Sequence, residues 1–184
     1  MQRRTLLRAQ LSRAWQSMVE TRYQSQLINS EGGLQVYFCH ALLEAFEHDG
    51  VKRRLFIEPK LGSSNDVAYR YPDVVICNSR SVIGIVELKY LPRGRPSFAK
   101  DLATLAYAAE AKDDLRLSND RYLGVAGDSR RYPLAKDAVL CWGGIYSGQL
   151  IDLRSSIKAP ALLDRFLQLN ARTQDEQHPS VVVA

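Results

Sequence analysis

The chain has 184 residues, a formal net charge of +5, 46% hydrophobic and 24% charged residues. That length suits one compact domain with a single sizeable core, and the composition is far from the disordered and membrane classes. No apolar run reaches the roughly 18–20 residues of a bilayer span. Arg3 and Arg4 are not followed by an unbroken apolar stretch, so neither signal peptide nor membrane anchor is expected. Cys39, Cys77 and Cys141 form an odd, scattered set without a CxxC pair, so a reducing cytoplasm is the expected compartment. The positive balance favours polyanion partners.

Residues 1–28 are expected to carry an amphipathic helix, because Leu7, Leu11, Ala14, Trp15, Met18 and Val19 recur at helical spacing. Five arginines (Arg3, Arg4, Arg8, Arg13, Arg22) face one acid, Glu20, in this stretch. Its polar face is either solvated or laid along phosphates, and its apolar face packs on the core or on a partner. A second helix is predicted from caps at Asn29 and Ser30 through Leu34, Phe38, Leu42 and Phe46 to the stop at Asp49-Gly50. Three strands follow, Val51 to Glu58, Arg70 to Cys77 and Val82 to Tyr90, the last two joined by a turn at Asn78-Ser79-Arg80-Ser81.

Beyond the Pro92–Pro96 break, Ser97 can cap a helix running to about Leu117. Strands are expected at Tyr122 to Val125 and Ala138 to Tyr146, then a short helix over Pro160 to Leu169 and a frayed tail over residues 171–184. The order α, α, β, β, β, α, β, β, α predicts an α/β domain around a mixed sheet flanked by helices.

The segments Pro72-Asp73-Val74-Val75-Ile76 and Ile83-Gly84-Ile85-Val86-Glu87-Leu88-Lys89 set charges into strands that otherwise read as buried. Buried charges are rare unless paired, hydrated or bound to metal. A hairpin turning near Ser79 and Arg80 places Asp73 almost opposite Glu87, and Glu87 and Lys89, two apart, share a face. Two carboxylates plus the Leu88 carbonyl make an oxygen site suited to Mg²⁺, with Mn²⁺ able to substitute. Lys89 would then face the metal's waters, an arrangement suited to phosphodiester hydrolysis.

Through Pro72-Asp73 and Glu87-Leu88-Lys89 the sequence resembles the PD-(D/E)XK, or restriction-endonuclease-like, nucleases. The resemblance implies an αβββαβ core within a domain over residues 29–170, an extra helix preceding it, and metal-dependent cleavage of nucleic acid, most often DNA. It also implies an acid on the first core helix at the metal site, for which Glu31 is the matching residue; a favourable acid at a helix N-terminus is the other reading of Glu31. The helix after Lys89 departs from some branches in lacking a glutamine, with Lys100 or Tyr107 able to approach the site instead.

Arg93 and Arg95, directly after the proposed active strand, and Arg130 and Arg131 in a second loop are candidate backbone contacts for nucleic acid, or solvated loop charges. The alternative to an enzyme is an inactive nuclease-fold module that binds nucleic acid or protein. Cutting both strands of a duplex needs two sites, so a homodimer or larger assembly through the N-terminal helix is a further expectation. His40 and His48 have no His or Cys as second ligand at i+3 or i+4, and the glycines of Trp142-Gly143-Gly144-Ile145-Tyr146-Ser147-Gly148 lack the lysine and spacing of a phosphate loop, so that stretch reads as a bulged strand or turn.

Overall fold

A computed structural model describes residues 4–62, 69–111, 115–118, 131–174 and 177–184. The architecture is α/β, with a mixed, curled sheet and four α-helices among the described residues. Helix α1 (Thr5–Met18) continues into a π-helical turn, Val19–Tyr23, and α2 spans Glu31–His48. Strands β1 (Arg54–Ile57), β2 (Leu61–Gly62), β3 (Val74–Cys77) and β4 (Val82–Leu91) precede α3 (Ala99–Glu110). Then come β5 (Arg116–Ser118), β6 (Arg131–Ser147), α4 (Pro160–Leu163), β7 (Phe166–Gln174) and β8 (Gln177–Val183).

Both ends of α2 are fixed by local chemistry. Ser30 caps it, its hydroxyl accepting from the Gly33 amide at 3.0 Å. At the other end Gly50 takes φ +64°. The Gly50 amide bonds the Glu47 carbonyl and the Val51 amide bonds the Phe46 carbonyl, both at 2.9 Å, which is the Schellman termination.

In the sheet, β1, β3 and β4 run antiparallel in turn, β6 lies parallel to β4 and β7 parallel to β6, and β8 closes the edge antiparallel to β7. The first part of β6 curls away to pair with β5, which pairs with β2. The sheet separates two apolar clusters. Helices α1 and α2 cover one face through Leu7, Leu11, Trp15, Phe38 and Leu42 against Val74, Ile76, Val86 and Leu88. Helices α3 and α4 cover the other through Leu105, Ala108 and Leu162 against Val75, Ile85, Leu140 and Trp142.

The apolar stripe of α1 is therefore buried in the chain's own core and is not left over for a second copy. Its arginines are also used internally. Arg4 pairs with Asp137 at 2.7 Å, Arg13 with Asp49 at 2.6 Å, and Arg8 donates to the Phe166 carbonyl at 2.9 Å. Of the two placements expected for the apolar face of this helix, on the core or on a partner, the structure shows the first.

Several boundaries differ from expectation. Helix α3 starts after Phe98 rather than a Ser97 cap and ends at Glu110, with Arg116–Ser118 forming β5 instead of its last turn. The expected strand at Tyr122 to Val125 lies outside the described residues. The final helix stops at Leu163, and the residues read as helix end and frayed tail form β7 and β8. Leu167, Leu169 and Ala171 alternate with Gln168 and Asn170, a period of two that suits a strand. The polar residues of that alternation are buried yet satisfied: Gln168 Nε2 donates to the Ile151 carbonyl at 2.6 Å and to Asn170 Oδ1 at 2.8 Å, and Tyr146 Oη donates to Asn170 Oδ1 at 2.9 Å.

Candidate active site

Strand β3 begins only at Val74 because the chain before it abandons the ladder. Pro72 has no amide proton to give, and the Leu88 amide donates to the Asp73 carboxylate at 2.5 Å instead of to a backbone carbonyl. The Asp73 carbonyl accepts from Gln35 Nε2 of α2 at 2.8 Å and from the Glu58 amide at 3.0 Å. Asp73 is thus fixed on three sides at the point where β3 and β4 separate.

Val74 pairs with Val86, beyond a register shift between Ile76 and Cys77, so one step further along the hairpin Asp73 meets Glu87, which the turn alone places only nearly opposite. Antiparallel partners put their side chains on the same face, here the α3 face, since Val75 and Ile85 belong to that cluster. Lys89 follows on the same face and Asp101 descends from α3. The Lys89 ammonium lies 3.5 Å from Asp101 Oδ1 and 3.5 Å from Glu31 Oε1. Glu31 also accepts from the Tyr90 amide at 3.2 Å, so the first turn of α2 is tied to the end of β4.

The Leu88 amide faces the β3 side, and in an extended strand a residue's amide and carbonyl address the same edge. The Leu88 carbonyl therefore lies on the Asp73 side.

The electrostatics are those of crowded acids. Burial, followed by the proximity of Asp73 and Asp101, pushes the Glu87 carboxyl up to about 9. Burial likewise raises Asp73 and Asp101, partly offset by the Leu88 amide at Asp73 and by Lys89 and Trp142 at Asp101. At Lys89 burial opposes the charge, but Asp101, Glu31 and Asp73 together outweigh it and raise its affinity for its proton. One ammonium cannot neutralise Asp73, Glu87, Asp101 and Glu31.

Among the described residues no three His, Cys, Asp or Glu side chains converge as a metal-holding group. The available donors are the adjacent carboxylates of Asp73 and Glu87 with the Leu88 carbonyl. That set fits a hard divalent cation such as Mg²⁺, which commonly takes one or two carboxylates and completes its shell with water.

Not every candidate gathers here. Arg93 and Arg95 are exposed in the loop after β4, at the sheet end that Lys89 approaches, and neither makes an ion pair among the described residues. Lys100 is exposed in the first turn of α3, beside Asp101. Arg131 opens β6 opposite Ser118, on the curled part of the strand. The site lies where Glu87 pairs with Trp142, well beyond Arg131 along the same strand. Arg130 lies outside the described residues.

Asp101 and Gln35 are the site residues that sequence reading missed. Asp101 shares a helical stripe with Leu105 and Ala108, all three buried; a carboxylate in an apolar stripe was the available signal. Gln35 stands four residues after Glu31, on the same side of α2. The chain matches no protein-family model, no curated protein and no solved structure.

Proposed function

We propose that this chain is a metal-dependent nuclease that hydrolyses phosphodiester bonds, with DNA as the substrate class that the PD-(D/E)XK resemblance implies. The observation that carries the reading is the meeting of the Asp73 and Glu87 carboxyls at the parting of β3 and β4, with Lys89 next on the same face. The order helix, strand, strand, strand, helix, strand, supplied by α2, β1, β3, β4, α3 and β6, agrees with the αβββαβ core of that family.

Each residue has work that the chemistry requires. Asp73 and Glu87 would hold the cation, with the Leu88 carbonyl on the same edge, and Glu31 would complete the acidic rim. The cation would supply the charge that offsets these buried acids and a Lewis acid for the phosphoryl oxygen. Lys89 orients the attacking water by hydrogen bonding and stabilises the charge that develops on the phosphate oxygens. Arg93, Arg95 and Lys100, exposed in the loop after β4 and the first turn of α3, suit the flanking phosphates.

A second reading, a catalytically silent module that binds nucleic acid or protein, is favoured by one observation: Lys89 is already engaged by Asp101 and Glu31. Incubating labelled single- and double-stranded DNA and RNA with Mg²⁺, Mn²⁺ or EDTA separates the two. Cleavage that needs metal, disappears in Asp73→Ala and falls steeply in Lys89→Ala supports the nuclease. Metal-independent binding without product supports the silent module.

A further inference from the structure

The stretch Trp142-Gly143-Gly144 is not a bulge: it pairs in unbroken parallel register with β4, Glu87 against Trp142 and Lys89 against Gly144. Trp142 is fully buried on the α3 face. Gly144 is the next residue on that face, and a Cβ there would stand 2.2 Å from the Trp142 ring, closer than any real contact. The indole therefore lies over Gly144, in the space that a side chain beside Lys89 would otherwise fill.

From that position the Trp142 Nε1–H donates to Asp101 Oδ2 at 3.1 Å, while the other carboxylate oxygen of Asp101 lies 3.5 Å from the Lys89 ammonium. Asp101 is 2% exposed, so its orientation is fixed by these partners rather than by solvent. We infer that Gly144, Trp142 and Asp101 form a positioning device for Lys89: the missing side chain admits the indole, the indole fixes the carboxylate, and the carboxylate aims the ammonium along the face that carries Glu87. Asp101 and Trp142 are positioning residues, acting through Lys89. The inference rests on the reading of Lys89 as the residue that serves hydrolysis, but the placement of the ammonium can be tested without it.

The direct test is the rate at which limiting acetic anhydride modifies Lys89 in the metal-free protein, read by mass spectrometry with the other lysines as internal references. Asp101→Asn and Trp142→Phe should each raise the Lys89 rate about fivefold, the factor that ~1 kcal/mol of lost ion pairing commands, leaving the reference lysines unchanged. Gly144→Ala, which displaces the indole without touching either polar partner, should do the same. Near-UV circular dichroism and the thermal midpoint confirm that each variant is folded.

A double-mutant cycle gives the functional readout. Asp101→Asn should lower kcat about tenfold when Lys89 is present and have no further effect in Lys89→Met, because the pathway runs through that amine. Unchanged Lys89 modification in the folded Asp101→Asn and Trp142→Phe variants would overturn the inference, as would an equal kcat loss in both backgrounds. A wild type that cleaves nothing while its Lys89 responds as expected would overturn the nuclease reading and leave the positioning device standing.

Discussion

Replacing Glu87 by Gln should stabilise the metal-free protein at neutral and alkaline pH while abolishing its capacity to hold a divalent cation. The Glu87 carboxyl ordinarily titrates at 4.5 but is pushed to about 9 in the fold, first by burial and then by Asp73 and Asp101. A raised carboxyl binds its proton more tightly in the folded state, so its contribution is fully present below the unfolded value and is lost as pH rises toward the folded value. At pH 7.5, three units above the unfolded value, the accumulated loss reaches at most about 4 kcal/mol at 1.36 kcal/mol per unit. Glutamine keeps the volume and removes the titration. With EDTA present, the variant's thermal midpoint should match the wild type near pH 4.5 and exceed it at pH 7.5, by at most about 8–16 °C. A variant that unfolds earlier than wild type at pH 7.5 in EDTA, or that keeps the full wild-type pH slope, would refute the argument that crowding of uncompensated acids governs this site.

Other predictions concern the frame around the site. Asn170→Ala should lower stability by about 2–4 kcal/mol in urea unfolding, because it strips the partner of the Gln168 amide and the Tyr146 hydroxyl inside the core. Glu58 holds φ +45° beside Asp73; Glu58→Gly should raise the urea midpoint by the equivalent of about 0.5–1 kcal/mol, since glycine relieves the left-handed strain at some entropic cost. Gly50→Ala should cost about 1 kcal/mol by forcing a Cβ into the left-handed cap of α2. Mg²⁺ should raise the wild-type thermal midpoint at pH 8 and leave that of Asp73→Ala unmoved.

The legible parts of the chain were those where one local signal dominates. Ser30 and Gly50 mark the ends of α2, and Asn78 marks the hairpin, where its side chain accepts from the Arg80 and Ser81 amides at 2.8 Å; the one-residue register shift between the Cys77–Val82 and Ile76–Gly84 pairs, which brings Asp73 opposite Glu87, has no such local mark. The illegible parts depend on distant partners. Residues 166–174 form a strand along the open edge of β6, and the local signal for it, the alternation of Leu167, Gln168, Leu169 and Asn170, was masked by Pro160, which reads as a helix start. Asp101 was hidden for a similar reason: it looks like a first-turn acid until β4 and β6 bring Lys89 and Trp142 beneath it. The arginines of α1 looked free because Asp137, Asp49 and the Phe166 carbonyl are remote in sequence.

The most direct test of the central claim is a Mn²⁺ titration followed by electron paramagnetic resonance at pH 7.5, on wild type, Asp73→Asn and Glu87→Gln. The account predicts a saturable site in the wild type, competed by Mg²⁺ and lost in both variants. A wild type that binds no cation, or variants that bind it as well as the wild type does, would contradict the assignment of Asp73 and Glu87 as the metal-holding pair of a nuclease.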